Sequence, residues 1–331
     1  MKIIWLLLIA IFSYANEYEW IGIYRSGGVQ ALEQKINEVL QTKNYWQEVL
    51  KNQDTRFGYY ENLKYLFVAT KDAPTLESPN LKLYALENNQ WVEKLNTKSL
   101  VGSKGGHKQK EGDLATPIGV YSLQARLSNL DQYYGPLAFS TSYPNLYDKL
   151  KKRTRYGIWI HGMPLNGNRE ELNTRGCIAI ENNLLTSVDR IIDYRNTLLI
   201  TFADDVEQTK KEDLATILAD LFQWKEAWAK NDIEAYLAFY DKDFIRYDGQ
   251  KFEAFEDTKG RIFQKGEEKE IEFTKINVSP YPNEENKKLF KISYHQDYKA
   301  FLKGTLNYYS NGNKELYVEL KNGKMQILVE Q

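Results

Sequence analysis

A thiol becomes a good nucleophile only when a base takes its proton, and imidazole is the side chain suited to that task near neutral pH. The chain of 331 residues has one cysteine, Cys177, and three histidines, His107, His161 and His295. His161 closes an apolar, strand-like run, Ile158-Trp159-Ile160-His161-Gly162. Cys177 opens another, in Thr174-Arg175-Gly176-Cys177-Ile178-Ala179-Ile180. A turn-rich loop of Gly, Asn and Pro joins the two. Strand ends project side chains toward one rim, so thiol and imidazole can face the same cleft. Gly176, beside the nucleophile, leaves backbone N–H groups open to a developing oxyanion. A lone cysteine also fits a small buried hydrophobe or an intermolecular link, since it cannot form an internal disulfide. One cysteine and three histidines supply no tetrahedral metal set.

The elements that must hold this pair read as a mostly-β domain over residues 72–203. Leu81 to Leu86 is a strand, Asn88-Asn89 a turn, and Trp91 to Leu95 its return. Ile118 to Leu123, Tyr156 to Ile160 and Thr197 to Phe202 continue the series, interrupted by one helix from about Asn183 to Arg190. Ahead of it, residues 16–71 read as a helical arm. Val29, Leu32, Ile36, Val39 and Leu40 lie at helical spacing, followed by a second series at Tyr45, Trp46, Val49 and Leu50. Such faces must pack on the next domain or on a second copy of the chain, so a homodimer through these helices is expected. A charged linker from Asp204 to Asp213 leads into residues 204–331. There Leu214 to Phe239 is helical, and strands such as Ile271 to Thr274 and Leu316 to Leu320 follow, with Asn322-Gly323 as a hairpin turn. Helices followed by a strand meander predict an α+β, cone-shaped domain and an α+β class for the whole chain. Trp224, Trp228, Tyr236, Phe239 and Tyr240 read as its core.

Lys and Arg number 44 against 45 Asp and Glu, a net charge of -1 that argues against a nucleic-acid binder. An aromatic share of 14%, with 24 tyrosines, argues against disorder over most of the chain. Residues 1–15 have the pattern of a secretory signal: Lys2, an apolar run from Ile3 to Phe12, then Ser13-Tyr14-Ala15, with cleavage expected before Asn16. The run is too short to span a bilayer core of about 30 Å as a helix. The mature protein is expected in the periplasm, without a membrane span.

The block H-G-…-T-R-G-C-I at His161-Gly162 and Thr174 to Ile178 resembles the signature of the L,D-transpeptidase catalytic domain. Upstream, Lys110 to Tyr121 resembles that family's K-x-G-D-x-x-T-P-x-G-x-Y stretch, and two motifs in the right order make the match specific. Trp224 to Trp228 and Asn231 to Tyr240 resemble the first helices of nuclear-transport-factor-2-like (NTF2-like) domains. The whole arrangement is similar to the cell-shape-determining peptidoglycan L,D-carboxypeptidases of helical Gram-negative bacteria.

The resemblance implies that Cys177 attacks the carbonyl of meso-diaminopimelate and expels D-alanine from a tetrapeptide stem, leaving a tripeptide, with no cofactor. It implies that His161 is the base, that the Gly162 carbonyl orients the imidazole, and that the N–H groups of Gly176 and Cys177 form the oxyanion hole. Thr174 and Arg175 would shape the pocket and contact the substrate carboxylate. His107, in a Gly/Lys loop, is a further candidate for substrate contact or simply a solvated residue. The sequence departs from the family where Ala179 replaces an arginine. Three readings stay open: hydrolysis to tripeptide, transpeptidation that links two diaminopimelates, and a non-catalytic wall-binding scaffold. A papain-like hydrolase is disfavoured, because its cysteine precedes its histidine.

Overall fold

Two sheets share an aromatic seam, and the eight-stranded one carries the strands beside His161 and Cys177. The structure is a computed structural model that describes residues 2–71, 78–153, 157–167 and 173–331, residues 2–17 by their backbone alone. The expected signal sequence, residues 1–15, therefore lies outside the residues whose side chains are described. In chain order the elements begin with α1 (Lys2–Leu40), kinked at Gly28, α2 (Lys43–Leu50), β1 (Tyr59–Tyr60), β2 (Tyr65–Thr70), β3 (Leu81–Glu87), β4 (Gln90–Thr97) and β5 (Gly119–Leu127). After these come β6 (Ala138–Thr141), α3 (Leu146–Leu150), β7 (Trp159–His161), β8 (Ile178–Ala179), α4 (Asn182–Ile191) and β9 (Thr197–Phe202). The C-terminal part comprises α5 (Lys211–Ala229), α6 (Ile233–Leu237), β10 (Tyr240–Arg246), α7 (Phe252–Phe263), β11 (Glu268–Pro280), β12 (Leu289–Leu302), β13 (Thr305–Lys321) and β14 (Lys324–Glu330). No helix among the described residues is long and apolar enough to cross a membrane.

The first sheet runs β4-β3-β2-β9-β5-β6-β7-β8 and ends on β7, which bears His161, and β8, which starts just after Cys177. An inner strand of this sheet, β2, corrects the expected helical arm over residues 16–71. Leu66, Phe67, Val68 and Ala69 are buried, and the strand pairs antiparallel with β3 and parallel with β9. A strand covered on both faces reads as an unbroken apolar run with no period-2 alternation, so its sequence carries no strand signature of its own. β1 goes the other way and pairs with β11 of the second sheet.

The second sheet, β1-β11-β12-β13-β14-β10, curls around α5 with an aromatic core that includes Trp224, Tyr236, Phe244 and Phe255. The helix expected from Leu214 to Phe239 is broken where Asn231 takes a left-handed φ of 59° and Asp232 caps α6 by accepting from the Ala235 N–H. The N-terminal helices, expected on the next domain or on a second copy of the chain, pack instead on the C-terminal domain through α2 and the end of α1. The Trp46 ring stacks on Phe222 at 5.6 Å, and Lys225 donates to Asn37 Oδ1 at 2.9 Å. Along α1, Tyr18, Ile21, Tyr24, Val29 and Ile36 stay exposed.

The two domains meet on the loop between β11 and β12 and on Tyr317 of β13. Tyr147 of α3 stacks on Tyr317, and Asn145 donates to the Tyr281 hydroxyl at 2.9 Å. Glu284 accepts the His107 N–H at 2.8 Å, which ties the C-terminal domain to the loop carrying the Lys110 to Tyr121 motif.

Candidate active site

β7 and β8 pair in parallel, with Ile160 opposite Ile178 and His161 opposite Ala179. Side chains alternate across a strand, so Ile160 and Ile178, both fully buried, point into the core with Phe139 and Leu137. His161 and Ala179 take the other face, which Cys177 and Trp159, two residues back on each chain, also share. Cys177 is thus set diagonally to His161 on neighbouring strands. The imidazole is 1% exposed and its Nδ1–H donates to the Gly162 carbonyl at 2.7 Å, since a carbonyl can only accept. That bond leaves Nε2 as the nitrogen with a lone pair in the neutral ring. Tyr134 packs edge-on against both His161, at 5.1 Å, and Trp159, at 5.0 Å. Cys177 is partly exposed, and its sulfur accepts the Trp159 N–H at 3.4 Å and lies 3.4 Å from the Gly157 carbonyl. An N–H aimed at the sulfur favours negative charge there.

The Thr174 to Cys177 turn is held by one hydroxyl. Thr174 Oγ1 donates to the Cys177 carbonyl at 2.6 Å and accepts the Gly176 N–H at 3.1 Å. Gly176 has a φ of 126°, and a Cβ there would fall 2.6 Å from the Ala115 carbonyl oxygen, so no other residue fits. Segment 100–102 clamps the turn from outside: Thr174 N–H donates to Val101 at 2.8 Å, and Leu100 and Ala179 exchange two bonds of 2.8 Å. Gly102 in turn donates to Thr116 Oγ1 at 2.8 Å, which joins both sequence motifs in one structure.

Within the upstream motif, Asp113 accepts from Lys108 Nζ at 2.8 Å and from the N–H groups of Gln109, Lys110 and Ala115. Burial alone would raise its carboxyl, but these donors outweigh it and hold the group well below the usual carboxylate range. Tyr134 is pushed up, first by burial and then by the negative charge Cys177 can carry, with the Arg175 guanidinium opposing. Arg175 itself is exposed at the mouth.

A family model of the L,D-transpeptidase catalytic domain matches residues 76–197, and one described as the Cds6 C-terminal NTF2-like domain matches residues 216–331. The solved structure of the helical cell shape determining protein Pgp2 from Campylobacter jejuni is 39% identical, over 88% of this chain and 99% of that one, with a TM-score of 0.79. A point mutant of the same protein superposes with a TM-score of 0.81. This chain belongs to the L,D-transpeptidase family. Bd1075 of Bdellovibrio bacteriovorus, 24% identical over 84% of this chain and 96% of that one at a TM-score of 0.62, shares the fold. Among curated proteins no sequence match is found.

As an L,D-transpeptidase-family protein the chain is a peptidoglycan-acting cysteine enzyme with an α+β fold and an NTF2-like C-terminal domain. The structure brings Cys177, His161, Gly162, Thr174 and Gly176 together, with Arg175 at the rim. His107 is the exception, and the substrate contact expected of it is corrected. It is 6% exposed, its Nδ1 accepts the Ile118 N–H at 2.7 Å, and its Nε2–H donates to Asp148 Oδ1 at 3.1 Å. Both ring nitrogens are spent inside the protein, so His107 fixes the motif loop. Burial, with the Asp148 carboxylate opposing it, holds the His107 imidazole below its ordinary value. Two positioning residues escaped the sequence reading. Asn182, at the start of α4, accepts the Met163 N–H at 2.8 Å and leaves no room for a side chain at Gly162. Tyr134 accepts the Gly162 N–H on its carbonyl at 3.0 Å. Neither sits in a motif or periodic pattern that would single it out. No group of three or more His, Cys, Asp or Glu side chains suited to a metal occurs among the described residues.

Proposed function

We propose that the chain is a periplasmic L,D-carboxypeptidase that removes the terminal D-alanine from tetrapeptide stems of peptidoglycan and leaves tripeptides. One observation carries this reading. Cys177 and His161 share a face of two adjacent parallel strands, with the imidazole Nδ1–H committed to the Gly162 carbonyl. The Gly162 carbonyl takes the place of the acid in a Ser-His-Asp triad.

In this mechanism the Cys177 proton passes to His161 Nε2 as the sulfur attacks the diaminopimelate carbonyl. The oxyanion forms at the Cys177 N–H, with the Gly176 N–H joining as it turns from the Thr174 hydroxyl. Collapse breaks the peptide bond, and His161 returns the proton to the leaving amine of D-alanine. Water, deprotonated by the same imidazole, then cleaves the thioester and restores the thiol. Arg175, exposed beside the turn, receives the substrate carboxylate.

The likeness to Pgp2, described as a helical cell shape determining protein, supports a role in cell shape. Ala179, fully buried where the family carries an arginine, supports a site with fewer contacts for a second stem. The exposed apolar side chains of α1 support a homodimer through the N-terminal helices, and the pattern of residues 1–15 supports export. Rapid quenching of the enzyme with tetrapeptide, followed by intact-mass measurement, tests the mechanism. The expected result is a tripeptidyl adduct on Cys177 in the wild type and none in Cys177→Ala. Release of D-alanine by Cys177→Ala would refute it.

A further inference from the structure

The catalytic turn rests on a buried cation that the mechanism above does not use. Lys108 is 4% exposed, and its ammonium lies 3.4 Å from the point a Cβ on Gly176 would occupy. It therefore sits against Gly176, the residue before Cys177. A lysine is seldom buried without a reason, because taking its charge out of water is costly. Here the cost is offset by Asp113, whose carboxylate is held ionised by three backbone N–H groups besides Lys108. The Lys108 carbonyl is also fixed, accepting from the Tyr143 hydroxyl at 3.3 Å. The ion pair is thus a rigid dipole with its positive end toward the Gly176 to Cys177 turn.

We propose that Lys108 is a positioning residue of the reaction, whose ammonium stabilises the negative charge that develops at the Cys177 sulfur and at the oxyanion beside it. The proposal deepens the reading of this site as a cysteine acyl-transfer centre and rests on it. Charge in a water-poor site is felt over several ångströms, and a preorganised cation needs no rearrangement as the oxyanion forms. The other groups facing the thiol act differently. His161, on β7, exchanges the proton. Tyr134 is neutral, and Arg175, on the turn itself, is exposed and screened by solvent. Asp113 is the counter-ion on the far side of the ammonium, and Asp148 with Arg153 forms a separate buried pair beyond Tyr143.

Lys108→Met keeps the length of the stem and removes the charge, while Lys108→Met with Asp113→Asn removes both charges and leaves no buried ion unpaired. Lys108→Arg keeps the cation. Each variant is read by thermal melting, by alkylation of Cys177 with iodoacetamide across pH, and by kcat and KM for D-alanine release. The double variant is expected to fold, to lose on the order of tenfold in kcat with KM little changed, and to shift its alkylation profile to higher pH. Lys108→Arg should recover most of the loss. A folded double variant with the wild-type alkylation profile would overturn the proposal, even if its kcat had fallen, because the role would then be structural. Alkylation does not depend on the substrate, so a wrong choice of peptide would leave this test standing.

Discussion

The Thr174 hydroxyl donates to the carbonyl oxygen of Cys177 at 2.6 Å and at the same time accepts the N–H of Gly176. One side chain thereby closes the turn that carries Cys177 and, in the proposed mechanism, holds back one of the two N–H groups assigned to the oxyanion. Thr174→Val keeps the shape and loses both bonds. It is expected to lower kcat about tenfold and stability by about 1–2 kcal/mol. Thr174→Ser should keep most of the activity. Steady-state kinetics decides the matter: equal rates for Val and wild type would show that the clamp is irrelevant.

Cys177→Ala should abolish turnover while costing only about 1 kcal/mol of stability, because a small, partly exposed side chain is lost. His161→Ala should do nearly as much damage to the rate, since without a base only a few per cent of an ordinary thiol is ionised at neutral pH. Release of D-alanine is the readout, with circular dichroism confirming the fold. Near-wild-type release by either variant would contradict their assigned roles.

His107 predicts a pH dependence of stability. Its folded value lies below the ordinary 6.5, so the unfolded chain binds more protons in the interval beneath 6.5. Its contribution is complete above that value and is lost as pH falls through it toward the folded value, by at most about 1.4 kcal/mol per pH unit. The other two histidines are present in both proteins, so their contributions cancel when the wild type is compared with His107→Gln. The stability advantage of wild type over the variant should shrink from about pH 7.5 to about pH 5. A constant advantage in denaturant melts would mean that the imidazole is not held neutral.

Much of this architecture could be read from local chemistry, and the failures have local causes too. The turns at Asn88-Asn89, with φ of 50° and 61°, and at Asn322-Gly323, with 53° and 73°, need residues that tolerate a left-handed backbone, and those residues announce them. The strands ending in His161 and starting after Cys177 were visible as short apolar runs beside Gly-rich turns. β2 was not, because burial on both faces erased its alternation. His107 was misplaced because its partner, Asp148, lies 41 residues away in α3, beyond the reach of any local pattern. Lys108 looked like one more loop lysine, since only the folded chain brings Gly176 and Asp113 to it.

The N-terminal arm makes a separate prediction. α2 is committed to the C-terminal domain through Trp46, so a truncation must stop short of it. A chain beginning at Asn37 keeps that packing, with Asn37 still on Lys225 and Leu40 on Trp46, and removes the exposed apolar side chains of α1, from Tyr18 to Ile36. The longer protein is expected to sediment as a dimer and the shorter one as a monomer. Equal masses for the two would end the assignment of α1 as a dimer interface.

Incubation of the wild-type enzyme with defined tetrapeptide muropeptides at high stem concentration, with the products weighed by mass spectrometry, bears most directly on the proposed activity. A transpeptidase must hold a second stem in a near-attack pose, whereas hydrolysis needs only water at the thioester. The expected product is the tripeptide, formed by loss of a single D-alanine, with no new dimers. A dominant dimer joined through two diaminopimelate residues, or tetrapeptide left intact, would contradict the assignment as a carboxypeptidase.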